Sequence, residues 1–333
     1  MSSTVLVTGG SGFIGSHFIR LWFQRFGKDA AVINVDALTY AGSKTTTADF
    51  EQNPNYVFYE QKIENFDTLG TYFEKHKPEY VVHFAAESHV DRSIENARNF
   101  VLSNVLGTQS LLDCARKYGV KRFIHVSTDE VYGSLLDADP AFTENTPLHP
   151  NSPYSATKAG SDLLALAYHH TYGSPVIVTR CSNNYGPYQF PEKLIPLMIA
   201  NALHDLPLPV YGQGTNVRDW LHVSDHCKAI LTVLEKGILG ETYNIGGGNE
   251  VRNIDLVNLI LDQLKKPHSL IQYVTDRLGH DYRYAIDSSK LKTLGWTPKW
   301  TLHEGLIDTI HWYQNTPQWW TPLWEQFRRK EKS

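Results

Sequence analysis

The chain has 333 residues, 41% hydrophobic and 20% charged, and its 31 basic against 35 acidic side chains give a formal net charge of −4. That balance excludes broad electrostatic binding to nucleic acid or to an anionic membrane surface, but it leaves room for a local basic pocket around a phosphorylated small molecule. Three widely spaced cysteines, Cys114, Cys181 and Cys227, form neither a disulfide framework nor a metal-ligand pattern. No apolar stretch approaches the roughly 20 residues that span a bilayer, and the first residues carry no signal-like core, so a cytoplasmic protein is expected.

In chain order, residues 4–8 read as a buried parallel strand, followed by Gly9-Gly-Ser-Gly-Phe-Ile-Gly15 and a helical pattern to about Phe26. Gly9, Gly12 and Gly15 let the backbone turn tightly against a pyrophosphate, and the helix N-terminus behind them favours negative charge. Residues 31–36 form the next strand. Asp36 ends it, about 20 residues beyond the glycines, where a carboxylate accepts from a ribose and repels a 2′-phosphate, so the expected cofactor is NAD rather than NADP.

Residues 56–60, 80–85, 122–127 and 175–180 are four more strands, and their alternation with helical segments predicts an α/β fold with a doubly wound parallel (Rossmann) sheet. The helical segments 97–118 and 153–172 carry Val101, Leu102, Val105, Leu111 and Leu112, then Leu163, Leu164, Leu166 and Ala167. This apolar surface suits their own sheet and also a partner subunit, so a homodimer through these helices is an expectation. After Cys181 the repeat gives way to Pro187, Pro191, Pro196, Pro207, Pro209, Gly212, Gly214 and Gly246-Gly-Gly248. The division predicted is 1–180 as the NAD-binding domain and 181–333 as a smaller α/β lobe, with some later segments returning to the first. Trp312, Trp319, Trp320 and Trp324 read as a packing cluster, and residues 328–333 as a frayed polar tail. His169-His170 lacks a ligand partner, so no metal site is expected.

Two short segments carry the chemistry. Thr128-Asp129-Glu130 ends the fifth strand, and adjacent carboxyls can hold different protonation states, one donating a proton while the other removes one. Tyr154 and Lys158 stand at i and i+4 on a helix, where the ammonium is expected to lower the phenol pKa and make Tyr154 a base near neutrality.

These motifs resemble the extended short-chain dehydrogenase/reductase family and, within it, the nucleotide-sugar 4,6-dehydratases. The likeness runs over nearly the whole chain, from Thr8-Gly-Gly-Ser-Gly-Phe-Ile-Gly-Ser16 through His83-Phe-Ala-Ala-Glu-Ser-His-Val-Asp-Arg92, Ser127-Thr-Asp-Glu-Val-Tyr-Gly133 and Arg180-Cys-Ser-Asn-Asn-Tyr-Gly-Pro187. Further matches are Pro191-Glu-Lys-Leu-Ile-Pro196, Leu208-Pro-Val-Tyr-Gly212, Val217-Arg-Asp-Trp220, Tyr243-Asn-Ile-Gly-Gly247 and Asp276-Arg-Leu-Gly-His280. The resemblance implies dTDP-glucose as substrate, with UDP-glucose the alternative, and 4-keto-6-deoxy sugar as product. It implies that Thr128 binds O4, that Tyr154 with Lys158 removes the O4 proton, and that the C4 hydride passes to NAD and returns to C6. Glu130 then abstracts the C5 proton and Asp129 protonates the departing C6 hydroxyl, leaving the cofactor regenerated and bound.

By the same resemblance Phe13, Ile14, Asp36, Ala37, Leu38 and Thr39 line the NAD site with Ile63, Ala85, Ala86, Ser103 and Asn183, and Ser88 stands where cofactor and sugar meet. Substrate is expected against Asn184, Lys193, Leu194, Pro209, Tyr211 and Arg218, with Asn253, Asp276, Arg277 and His280. Arg218 and Arg277 suit the diphosphate because a guanidinium fork fits its oxygens. The chain departs from the family pattern at Lys62, where a carboxylate is usual beside the adenine, so that either Glu60 or Glu64 substitutes or the contact is absent, and at Leu278, where proline is usual. A nucleotide-sugar epimerase would share Tyr154 and Lys158 but has no water to expel and so no use for Asp129 and Glu130 together. A non-catalytic NAD-sensing protein would not need Thr128, Tyr154 and Lys158 intact.

Overall fold

The computed structural model describes residues 3–276 and 279–331. Twelve strands are numbered in chain order: β1 Ser3–Thr8, β2 Ala30–Asp36, β3 Tyr56–Glu60, β4 Tyr80–His83, β5 Arg122–Thr128, β6 Val176–Cys181, β7 Asn183–Tyr185, β8 Leu208–Tyr211, β9 Val217–His222, β10 Thr242–Ile245, β11 Glu250–Arg252 and β12 Ile271–Val274. Seven of them make one parallel sheet in the order β10-β6-β5-β4-β1-β2-β3. Side chains alternate between its faces, as a period of two requires: Val5 and Val7 pack in one core and Leu6 in the other. Helices Phe13–Phe26 and Val223–Lys236 cover the first face, and Phe66–His76, Thr108–Lys117 and Pro153–Tyr172 the second. The doubly wound sheet expected from the alternation is therefore present.

Beyond β6 the chain builds a second lobe on β7–β9 and β11 and on β8 with β12, around a core of Ile199, Leu208, Trp220, Ile260 and Leu306. It also returns to the large sheet, because β10 pairs with β6 and helix Val223–Lys236 packs on helix Phe13–Phe26. The tryptophan cluster is a packing feature: Trp320 and Trp324 are buried and Trp312 and Trp319 lie against the same core. The polar tail differs from its reading as far as Glu331, since helix Pro317–Glu331 continues into it and the Arg328 guanidinium stacks 4.8 Å from the Trp324 ring, while residues 332–333 lie outside the described residues. The helix expected over 97–118 is interrupted by a π-helical turn at Val101–Gly107, and β4 stops at His83, short of the expected Ala85. Among the described residues no helix is long and apolar enough to cross a membrane.

Candidate active site

Strand order reverses at β1, with β2 and β3 on one side and β4, β5, β6 and β10 on the other. In an open α/β sheet the crevice at that switch point receives ligands. Here the carboxyl ends of the strands open into a cleft of about 490 Å³.

One end of the cleft is built by the glycine-rich turn. Gly9 has φ +70° and a Cβ there would stand 2.7 Å from the Ala85 nitrogen, while a Cβ on Gly15 would collide with the Gly9 carbonyl oxygen. Helix Phe13–Phe26 starts behind Gly12 with no side chain capping it, which leaves first-turn N–H groups for an anion. Asp36 is buried, and its two carboxylate oxygens accept the Ser11 N–H at 2.9 Å and the Leu38 N–H at 2.8 Å. The carboxylate thus ties the turn to the second strand and still has a lone pair on each oxygen for a ribose. Burial raises its pKa, and the two backbone donors oppose that.

Gly12, Phe13, Ile14, Ala37, Thr39, Ile63, Ala85, Ala86, Ser88, Ser103 and Asn183 line the same cleft. Leu38 does not; with φ 48° it turns the chain so that its N–H reaches Asp36. Of the two carboxylates that could replace the one absent at Lys62, Glu64 lines the cleft, whereas Glu60 turns to Lys44 at 3.1 Å. The glycine cradle, the uncapped helix start and the buried carboxylate fit a dinucleotide such as NAD.

The other end carries the reacting groups. Thr128 closes β5 in an extended conformation and caps a single turn, Asp129–Tyr132, with its Oγ1 accepting the Glu130 N–H at 3.3 Å. That turn swings both carboxyls into the cleft beside Thr128, Tyr154 and Lys158. Asp129 is 2% exposed and its Oδ2 has no hydrogen-bond partner among the described residues. Burial first, then the charges of Glu130 and Asp219, hold the Asp129 carboxyl well above the usual carboxylate range, which favours its protonated form.

Helix Pro153–Tyr172 begins with Pro153 in its first turn and a reciprocal Ser152–Ser155 capping box, which fixes Tyr154 and Lys158 on its first turns. The Lys158 ammonium is buried and donates to the Val126 carbonyl at 2.8 Å; burial lowers its pKa to about 8, with Asp162 opposing. The expectation of a lowered phenol pKa is corrected here. Burial first, then the Glu130 charge, pushes Tyr154 well above its ordinary value, because desolvation penalises a phenolate.

Behind Lys158, Asp162 accepts from Arg180 Nε at 2.8 Å and faces His125 Nε2 at 3.2 Å, all three buried. Burial would raise the Asp162 pKa, but the His125 contact and the Arg180 charge outweigh it and keep the carboxylate ionised.

The substrate residues expected from the sequence divide. Asn184 and Lys193 line the cleft, and Lys193 donates to the Ser88 carbonyl at 3.1 Å. Leu194, Pro209, Tyr211, Arg218, Asn253, Asp276 and His280 do not line it. Tyr211, Asp276 and His280 gather together, with His280 Nδ1 2.6 Å from Asp276 and its ring 6.1 Å from that of Tyr211, whose hydroxyl donates to Asp91 at 3.4 Å. The Arg218 guanidinium is buried, donates to the carbonyls of Val217, Asp281 and Tyr282 and stacks 4.2 Å from the Tyr284 ring. Arg277 and Leu278 lie outside the described residues.

Sequence reasoning missed several groups. Tyr40 and Phe190 line the cleft without belonging to a recognised motif. Asn104, buried in the π-helical turn, bonds both the N–H and the carbonyl of Glu87 and also Thr157, which braces the Tyr154 helix against the loop after β4. Only a break in helical periodicity near 101–107 could have marked it.

Comparison with known proteins adds four findings. The model of the family described as GDP-mannose 4,6 dehydratase matches residues 6–309. A dTDP-glucose 4,6-dehydratase of Xanthomonas campestris pv. campestris is 53% identical, with 95% of each chain covered. The crystal structure of a dTDP-glucose 4,6-dehydratase from Bacillus anthracis in complex with NAD superposes with a TM-score of 0.90 at 51% identity, covering 96% of this chain and 99% of that one. A UDP-glucose 4-epimerase of Thermotoga maritima with UDP-glucose shares the fold at a TM-score of 0.87 and 34% identity, covering 94% and 99%.

Proposed function

The chain belongs to the GDP-mannose 4,6-dehydratase family, and from that premise we propose that it converts dTDP-glucose to dTDP-4-keto-6-deoxyglucose. The observation that carries this reading is the buried Asp129 carboxyl, its pKa raised, beside Glu130 in one cleft with Tyr154 and Lys158. The similarity at 53% identity to a dTDP-glucose 4,6-dehydratase supports the nucleotide. Bound in the cleft, NAD supplies the acceptor that takes the C4 hydride and gives it back at C6.

The chain's own residues do the proton work. Thr128 holds O4, and Tyr154 in its phenolate form takes that proton, with the Lys158 charge opposing the burial that raises the phenol pKa. With C4 a carbonyl, the C5 hydrogen is acidic; Glu130 removes it and, once C6 has regained its hydride, returns a solvent-exchanged proton to C5. Asp129 gives its proton to the C6 hydroxyl, which leaves as water. An epimerase needs no such acid. Incubation with dTDP-glucose in deuterated water is expected to yield a 4-keto-6-deoxy sugar with solvent deuterium at C5 by NMR. A galacto product, or unchanged sugar beside bound NAD, would overturn the assignment.

We also propose a homodimer in the cytosol. Val101, Leu106 and Leu163 are 49%, 43% and 59% exposed, on the π-helical turn and the Tyr154 helix that packs beside it. Large apolar side chains gathered on neighbouring helices favour a partner helix over water. Three buried, unpaired cysteines suit a reducing compartment. Sedimentation is expected to give twice the 37.8 kDa of one chain, and Leu163→Glu to shift it toward that single mass. A wild-type protein at the single mass removes the dimer.

A further inference from the structure

Three cleft-lining segments, from the carboxyl ends of three strands, are joined by side chains that the proton transfers do not use. Tyr40 follows β2, Arg92 and Ser88 follow β4, and Phe190 and Glu192 follow β7. The Arg92 guanidinium stacks 3.7 Å from the Tyr40 ring centroid and donates to Glu192 Oε2 at 3.0 Å, where the Glu192 side chain is fully buried. The Phe190 ring meets Tyr40 edge-on at 5.7 Å, and the Tyr40 hydroxyl lies 3.5 Å from Ser88 Oγ. Tyr40, Ser88 and Phe190 all line the cleft, so these contacts bridge it.

We propose that Tyr40, Arg92, Glu192 and Phe190 form a latch that retains NAD through each catalytic cycle. The proposal rests on the reading above that NAD is the resident cofactor. The chemistry gives retention a purpose: electrons borrowed at C4 return at C6, so release between the two steps strands a reduced cofactor and a keto sugar. Arg92 is the keystone because it is the only one of the four that holds two others by charge and stacking at once, Glu192 through the ion pair and Tyr40 through its ring face. Glu192 needs it, since burial raises that carboxyl's pKa and the Lys193 and Arg92 charges, with hydrogen bonds from Tyr40 and Arg92, oppose the rise. The four are positioning residues, acting on the cofactor through the segments they join.

The test is exchange of bound NAD. Purified holoenzyme is mixed with excess nicotinamide-labelled NAD, and label retained after rapid desalting is followed in time. Arg92→Leu and Tyr40→Leu are expected to exchange about tenfold faster or more than wild type. Arg92→Lys, which keeps the charge toward Glu192 but loses the planar stack, is expected between them. With substrate present, the leucine variants are expected to shed reduced cofactor into the filtrate. A merely structural role would lower the melting temperature of the cofactor-free protein without this leak. Should Arg92→Leu fail to fold, Tyr40→Leu reads the same property with the ion pair intact. Wild-type exchange rates in the folded variants, or a wild-type protein that holds no NAD, overturn the latch. Exchange needs no sugar, so slow wild-type and fast variant exchange in a protein inert toward dTDP-glucose would sink the dehydratase reading and leave the latch standing.

Discussion

Asp129→Asn is expected to leave C4 oxidation near its wild-type rate while slowing loss of water about 10²–10³-fold, the usual worth of a positioned general acid. The separation follows from the charge state of the carboxyl. Burial, then the charges of Glu130 and Asp219, raise the Asp129 pKa and so favour its neutral form. An asparagine of the same shape matches that form and removes the transferable proton, and losing the Asp129 charge, one of the causes that raise the Tyr154 pKa, does not impair C4 oxidation. Glu130→Gln should behave differently, since the Glu130 charge is among the causes that raise the Tyr154 pKa, and its removal favours the phenolate while deleting the C5 base. Single-turnover measurements that resolve reduced-cofactor formation from product formation check both. Equal losses in the two steps for Asp129→Asn would assign that residue another role.

Lys158→Met is expected to lose activity by at least about 10²-fold and yet to make the cofactor-free protein more stable at neutral pH. A lysine whose pKa falls to about 8 on burial, from 10.5 when unfolded, costs about 3 kcal/mol of stability at pH 7. The sign follows from proton counting. Between about pH 8 and pH 10.5 the unfolded chain holds a proton that the folded one has released, so stability rises with pH across that window. Below it, the cost is fully present. Methionine fills similar volume without charge, and Asp162 keeps Arg180 and His125. The loss of the bond to the Val126 carbonyl offsets about 1 kcal/mol, leaving a net gain of about 2 kcal/mol. Urea unfolding at pH 7 and pH 10 should show the wild type gaining on the variant as pH rises. Parallel curves, or a destabilised variant, would mean that Lys158 is not held as a costly ammonium.

Much of this was legible in the amino-acid order because local rules governed it. The apolar runs in β1, β2, β3 and β5, the glycine turn before a helix and the capping of helix Pro153–Tyr172 each need only neighbours along the chain. Groups whose partners lie far away were less legible. β10 is four residues, Thr-Tyr-Asn-Ile, too short to announce a strand of the first sheet from beyond position 240. Arg92 and Glu192 meet across 100 positions, and nothing near either marks the contact. The phenol pKa went astray for a related reason: helix spacing reports that Lys158 sits one turn from Tyr154, but not how completely both are desolvated.

The return of the chain to its first sheet sets a schedule for biosynthesis. Until Ile245 has left the ribosome, Val176–Cys181 is an open rim with unpaired backbone donors, and until Lys236 has emerged, the face that holds Ile230 and Val233 lacks its cover. A nascent fragment ending near residue 180 is therefore sticky rather than a finished module. Messages interrupted there should feed aggregates, and grafting the cofactor half alone onto another protein should require carrying residues 223–245 with it.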